Sequence, residues 1–185
     1  MLQIALNTFR EIVRNKFFSL ILFFGVAFLS LSLILKTLAL GEIERMLYDF
    51  GLSFIELTGF MIVLFLGGGM LYREIEGRTI YLLISKPIDR SAILLGKFIG
   101  FSWILFMIIL FLSLILVGLL ALNSITIDLL MYAALLGIYL KWLSLLAVIL
   151  FFSTIASPIL SMFVTIATYF IGHNAYVIFD YTSQK

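Results

Sequence analysis

Cysteine is absent from all 185 residues, which removes disulfides, thiolate metal sites and cysteine nucleophiles, and leaves the redox compartment unreadable. Histidine occurs once, as His173, and a lone imidazole cannot build a metal site with the usual His or Cys partners. A hydrogen-bonding cap is the simpler reading of it. Charged residues make up only 12% of the chain, against about 25% in ordinary soluble domains. They nearly cancel, with 12 Lys and Arg against 10 Asp and Glu, so the basic surplus expected of a nucleic-acid binder is missing. A phosphate-cradling Gly-x-x-x-x-Gly-Lys-[Ser/Thr] loop is also missing. Gly96-Lys97 is followed by Phe98, and Ser91 stands where the first glycine would be.

What is present is apolar: 64% hydrophobic residues and a mean hydropathy of +1.24. One soluble core cannot hide that much apolar surface, and the excess falls into runs near the length needed to cross about 30 Å of hydrocarbon. The fold class expected is an all-α membrane protein, with an N-terminal amphipathic helix and about five transmembrane helices. Residues 1–16 carry Leu2, Ala5, Leu6, Phe9, Ile12 and Val13 at helical spacing, with Gln3, Asn7, Arg10, Glu11 and Arg14 opposite. This pattern suits a helix lying in the membrane interface, its Arg10, Glu11 and Arg14 face meeting lipid headgroups; the alternative is an inward extension of the first span.

The spans are read as 17–40, 51–72, 98–122, 129–152 and 158–172 of one transmembrane domain. The first is too long for the roughly 7–15-residue apolar region of a signal peptide. Gly41 to Phe50 reads as a short acidic loop, Asn123 to Asp128 and Ser153 to Ser157 as further breaks, and His173 to Lys185 as a mixed tail. Lys and Arg concentrate before the first span (Arg10, Arg14, Lys16) and between the second and third (Arg73, Arg78, Lys86, Arg90, Lys97). Since basic residues are retained on the cytoplasmic side, the N-terminus and the 73–97 loop are expected there, in a plasma (inner) membrane.

The 73–97 loop is the most informative stretch. It is longer than a turn needs and holds an apolar set, Ile80, Leu83 and Ile84. Thr79 can cap a short helix, Pro87 ends it, and Asp89 or Ser91 can cap the helix that follows. A short amphipathic cytoplasmic helix between charged hinges suits docking on a soluble partner.

With these pieces the sequence resembles the transmembrane subunits of ABC-2-type ABC transporters, the copper-enzyme maturation permeases most closely. The residues that carry the likeness are Thr8-Phe9-Arg10-Glu11 with Arg14-Asn15-Lys16, then Glu74-x-Glu76-x-x-Thr79, Leu82-Leu83-x-Ser85-Lys86-Pro87-Ile88-x-Arg90 and Gly96-Lys97. Phe152-Ser153-Thr154, Ser157-Pro158 and Ile171-Gly172-His173 extend it over nearly the whole chain. The resemblance implies an exporter permease without a nucleotide site of its own. It would be a homodimer, or paired with a similar permease, in contact with membrane lipid and bound to an ABC ATPase that holds ATP and Mg. Its 73–97 loop would be the coupling element, with Glu74, Glu76, Thr79, Pro87, Arg90 and Lys97 transmitting force. Such permeases usually have six spans, so a sixth is expected either to be lost beyond this sequence or to be replaced by Ala175 to Phe179 re-entering the membrane.

Two charges fall inside spans. Lys141 lies about 20 Å into its span at 1.5 Å per residue, and a central Lys costs about 2.5–3.5 kcal/mol on insertion scales. It either faces a translocation path at the dimer cavity or an anionic substrate, or it snorkels inward or pairs with a helix-end carbonyl. Glu56 reads as lying near the outer end of its span. Readings from other classes are a non-transporting membrane scaffold and an intramembrane hydrolase. No Gly-flanked Ser motif supports the latter.

Overall fold

A computed structural model describes residues 2–35, 43–68, 90–125 and 128–183 of the chain. All regular structure among them is helical: α1 Leu2–Val13, α2 Lys16–Leu35, α3 Ile43–Ile62 continuing as a π-helical segment Val63–Gly67, α4 Arg90–Leu122, α5 Leu129–Ile155 and α6 Pro158–Ser183. The fold is that of an all-α membrane protein, as the sequence indicates. Among the described residues three stretches are long and apolar enough to cross a membrane: Glu44–Gly67, Ile93–Leu122 and Leu129–Ile155. The pair Ala5–Val13 and Phe18–Leu31, bent by 63° at the break between α1 and α2, is a fourth candidate. α6 adds a further helix of 26 residues.

The second span begins earlier than its hydropathy suggests. Ile43–Phe50, read from sequence as loop, is the first part of α3. Its charges sit on an exposed helix face, with Arg45 Nε 4.0 Å from Asp49 Oδ2 one turn on. Such an i,i+4 pair lowers mean hydropathy without breaking the helix. α4 likewise starts at Arg90 instead of Phe98, because Ala92 to Leu95 continue the helical run across the polar residues. α4 ends on Asn123, whose side chain donates to the Leu119 carbonyl at 2.7 Å, and on Ser124 in the left-handed region at φ 56°. Between α5 and α6 the chain opens at Ala156–Ser157. The Ser157 hydroxyl accepts from the Leu160 N–H at 3.4 Å, and Pro158 occupies the first helical position, where its missing N–H costs nothing.

α3 stands at the centre, against α2, α4 and α5, while α1 lies along α4 and α6 packs on α5 and the π-helical segment. The shared core includes Ile55, Ile62, Phe101, Leu105, Leu112, Leu116, Trp142, Leu146 and Ile149. In lipid, hydrophobicity alone does not drive helices together; close packing and hydrogen bonding do. Thr58 donates to the Phe54 carbonyl at 2.7 Å and lies against Gly25 of α2. Ser153, Ser161 and Thr165 at the α5–α6 contact are buried and turn their hydroxyls back onto the Ile149, Pro158 and Ser161 carbonyls. Among the described residues no buried side-chain polar atom lacks a hydrogen bond, as a dry bilayer requires.

α1 is amphipathic, with Arg10, Glu11 and Arg14 on its exposed side, but the face it buries is turned from the one that the apolar spacing suggests. Thr8 and Ile12 are buried, whereas Leu6 and Val13 stay open. The cause is Gly100 of α4, where an added Cβ would come within 2.6 Å of the Ala5 carbonyl oxygen. This glycine lets the backbones touch. Gly100→Val is therefore expected to cost about 1–3 kcal/mol by overpacking and to lower the thermal midpoint of the detergent-purified protein. Gly118→Ala on the same helix, where a Cβ meets nothing within 4 Å, is the control and is expected to stay within about 0.5 kcal/mol.

Candidate functional site

The described helices bring four polar side chains from three helices to one place: Glu56 of α3, Lys141 of α5, and Tyr169 and His173 of α6. Lys141 Nζ donates to Glu56 Oε1 at 2.7 Å, a charge-assisted contact. The Tyr169 hydroxyl donates to the same oxygen at 3.0 Å, and His173 Nδ1 lies 3.8 Å from it. The ammonium also sits 5.7 Å from the centroid of the Tyr169 ring. Tyr169 is held between Phe60, stacked at 4.3 Å, and His173, stacked at 5.7 Å.

Two backbone features place Glu56. The Trp142 indole N–H donates to the Glu56 carbonyl oxygen at 3.2 Å, and the fully buried ring lies directly over Gly59, where any Cβ would collide with it. Trp142 follows Lys141 in sequence, so one pair of residues on α5 fixes both the backbone and the carboxylate of Glu56. One turn further along α3, the π-helical segment Val63–Gly67 interrupts the α-helix. Single π turns inside α-helices are often found at functional sites.

Depth gives this cluster its meaning. With α3 starting at Ile43, Glu56 lies midway along Glu44–Gly67, and Lys141 lies midway along Leu129–Ile155. Glu56 therefore stands level with the lysine, near the middle of both helices. A carboxylate or an ammonium alone at that depth is costly, and pairing removes most of the cost. Lys141 thus pairs with a carboxylate 85 residues away in sequence, a partner other than the helix-end carbonyl that the sequence offers it. The lone His173, read as a cap, belongs to the same cluster, and Tyr169 was not singled out at all. Its spacing of four residues from His173, on one helix face, was the available signal.

The other sequence-identified residues fall elsewhere. Glu74, Glu76, Thr79 and Pro87 lie outside the described residues, and Arg90 opens α4. Lys97 lies two turns into α4 and is buried, with 3% exposure. Among the described residues no group of three or more His, Asp or Glu side chains is placed to hold a metal ion.

A helical membrane subunit with a charge-compensated cluster between its spans is the class that this architecture defines. The chain belongs to the ABC-2 family transporter proteins, whose family model matches residues 2–179. It is thus a multi-pass permease component of an ABC transporter. No curated protein matches the chain.

Proposed function

We propose that this chain is the membrane subunit of an ATP-driven exporter, lying in the plasma membrane with its N-terminus cytoplasmic and working as a pair of permease subunits above two ABC ATPases. The observation that carries the reading is the family match over residues 2–179, nearly the whole chain. The position of the 73–97 stretch supports the coupling role. It lies in the chain between the π-helical end of α3 and α4, whose first eight residues it includes, so a push on it is delivered to two spans that pack on each other. Glu74, Glu76, Thr79, Pro87 and Arg90 form the docking segment in this reading. Lys97, buried in α4, transmits movement from within the helix layer. ATP and Mg reside on the partner, and the chain itself holds no cofactor.

The test is purification of the tagged full chain from its own cells in mild detergent. A soluble P-loop ATPase is expected to be retained, and Glu76→Lys or Arg90→Glu is expected to lower its retention at least about tenfold, equivalent to about 1.4 kcal/mol of docking energy. Wild-type protein that retains no ATPase overturns the reading, as do variants that retain it undiminished.

A further inference from the structure

The intramembrane cluster is covered unevenly. The Glu56 side chain is its inner member at 15% exposure, while Lys141 keeps 35% and His173 keeps 56%. The pair is neutral as a whole but polarised, with its negative end inside and its positive end facing out. Coulomb energy falls with distance, so an anion touching Lys141 is attracted by the near ammonium more than it is repelled by the carboxylate behind. An ammonium has three N–H donors, and one is directed to Glu56. The exposed side of the cluster opens beside Leu140 and Phe170, the chain neighbours of Lys141 and Tyr169, which are apolar and each more than half exposed. Gly137 lies one helical turn before Lys141 on the same face, and a Cβ there would meet nothing within 4 Å. The glycine leaves a gap beside the ammonium.

We propose that this opening binds an amphiphile that carries a carboxylate or phosphate on an apolar tail. The anionic group lies on Lys141 and His173, and the tail runs along Leu140 and Phe170 past Gly137. Glu56 and Tyr169 act as positioning residues that hold the ammonium at the mouth. This names the substrate class of the exporter proposed above and rests on that reading for transport. Binding itself is measured without an ATPase, so the two can fail separately.

The experiment titrates the purified full chain, in nanodiscs of phosphatidylcholine, with palmitate, with phosphatidic acid and with neutral hexadecanol. At least one anionic amphiphile is expected to bind about tenfold or more tightly than hexadecanol. Preference for palmitate identifies a free acid as the source, and preference for phosphatidic acid identifies a lipid headgroup. The neutral double variant Glu56→Gln/Lys141→Met, which leaves no unpaired charge, is expected to lose that preference. Gly137→Phe, whose Cβ stands in open space and whose ring occupies the gap, is expected to weaken binding about tenfold. Glu56→Gln alone is expected to weaken binding of the anionic amphiphile and leave that of hexadecanol unchanged, because the ammonium is no longer held in place; a purely structural role for Glu56 moves both alike. Equal binding of hexadecanol and both anionic amphiphiles overturns the proposal. So does wild-type affinity in both the double variant and Gly137→Phe.

Discussion

Lys141→Met is expected to destabilise the protein by up to about 3 kcal/mol, the lower end of the cost of breaking a buried ion pair from one side, because this pair is only partly buried. The reason lies in what remains. Glu56 would keep a charge between the spans with only the Tyr169 hydroxyl, at 3.0 Å, and the more distant His173 to compensate it. Glu56→Gln is expected to cost less, because Lys141 is long and 35% exposed, and can bend its ammonium away from the site. The double variant Glu56→Gln/Lys141→Met is expected to recover most of the loss, since no charge is then left alone. Thermal midpoints of the four detergent-purified proteins, with expression level as a second readout, give the coupling energy between the two positions. A coupling near zero would show that the pair does not hold the spans together.

The second large effect is expected at Gly59. Trp142 covers this glycine so closely that the helices cannot keep their spacing around a larger residue. Gly59→Leu should therefore separate α3 from α5, cost about 1–3 kcal/mol or more, and also weaken the ion pair, since Glu56 is one turn away on the same helix. Trp142→Phe removes the indole N–H given to the Glu56 carbonyl and leaves space, at a cost typical of a lost hydrogen bond plus a small cavity. Combining Gly59→Ala with Trp142→Phe is expected to destabilise less than the sum of the two, because the smaller ring makes room for the added methyl. Midpoints of the two single variants and the double variant check this, and strict additivity would contradict it.

The helical membrane class was legible from composition alone, and so were the cores of α2, α4 and α5, because unbroken apolar runs leave no competing reading. The break before Pro158 was legible from proline chemistry. The start of α3 was not, since Glu44, Arg45 and Asp49 read as loop to a hydropathy scale, although their spacing suits a helix surface. That one boundary hid the site. Placed eight residues later, the start of α3 puts Glu56 near a membrane face, where it needs no partner; placed correctly, it sets Glu56 level with Lys141. The contribution of Tyr169 and His173 is tertiary, through ring stacking and a shared carboxylate oxygen, and no local pattern reports which helix packs beside which. The contact between α1 and α4 was not legible. Gly100 admits the α1 backbone at Ala5, 95 residues earlier in the chain, and no local pattern names that partner.

Because the chain contains no cysteine, one cysteine placed at position 141 can be given a charge of chosen sign by a thiol reagent without side reactions. Lys141→Cys should lower the thermal midpoint as Lys141→Met does. Treatment with 2-aminoethyl methanethiosulfonate, which returns an ammonium at nearly the length of lysine, is expected to restore more than half of the loss. Neutral methyl methanethiosulfonate should restore little. If both reagents leave the midpoint equally low, or raise it equally, the Glu56–Lys141 charge pair is not what holds α3 and α5 together.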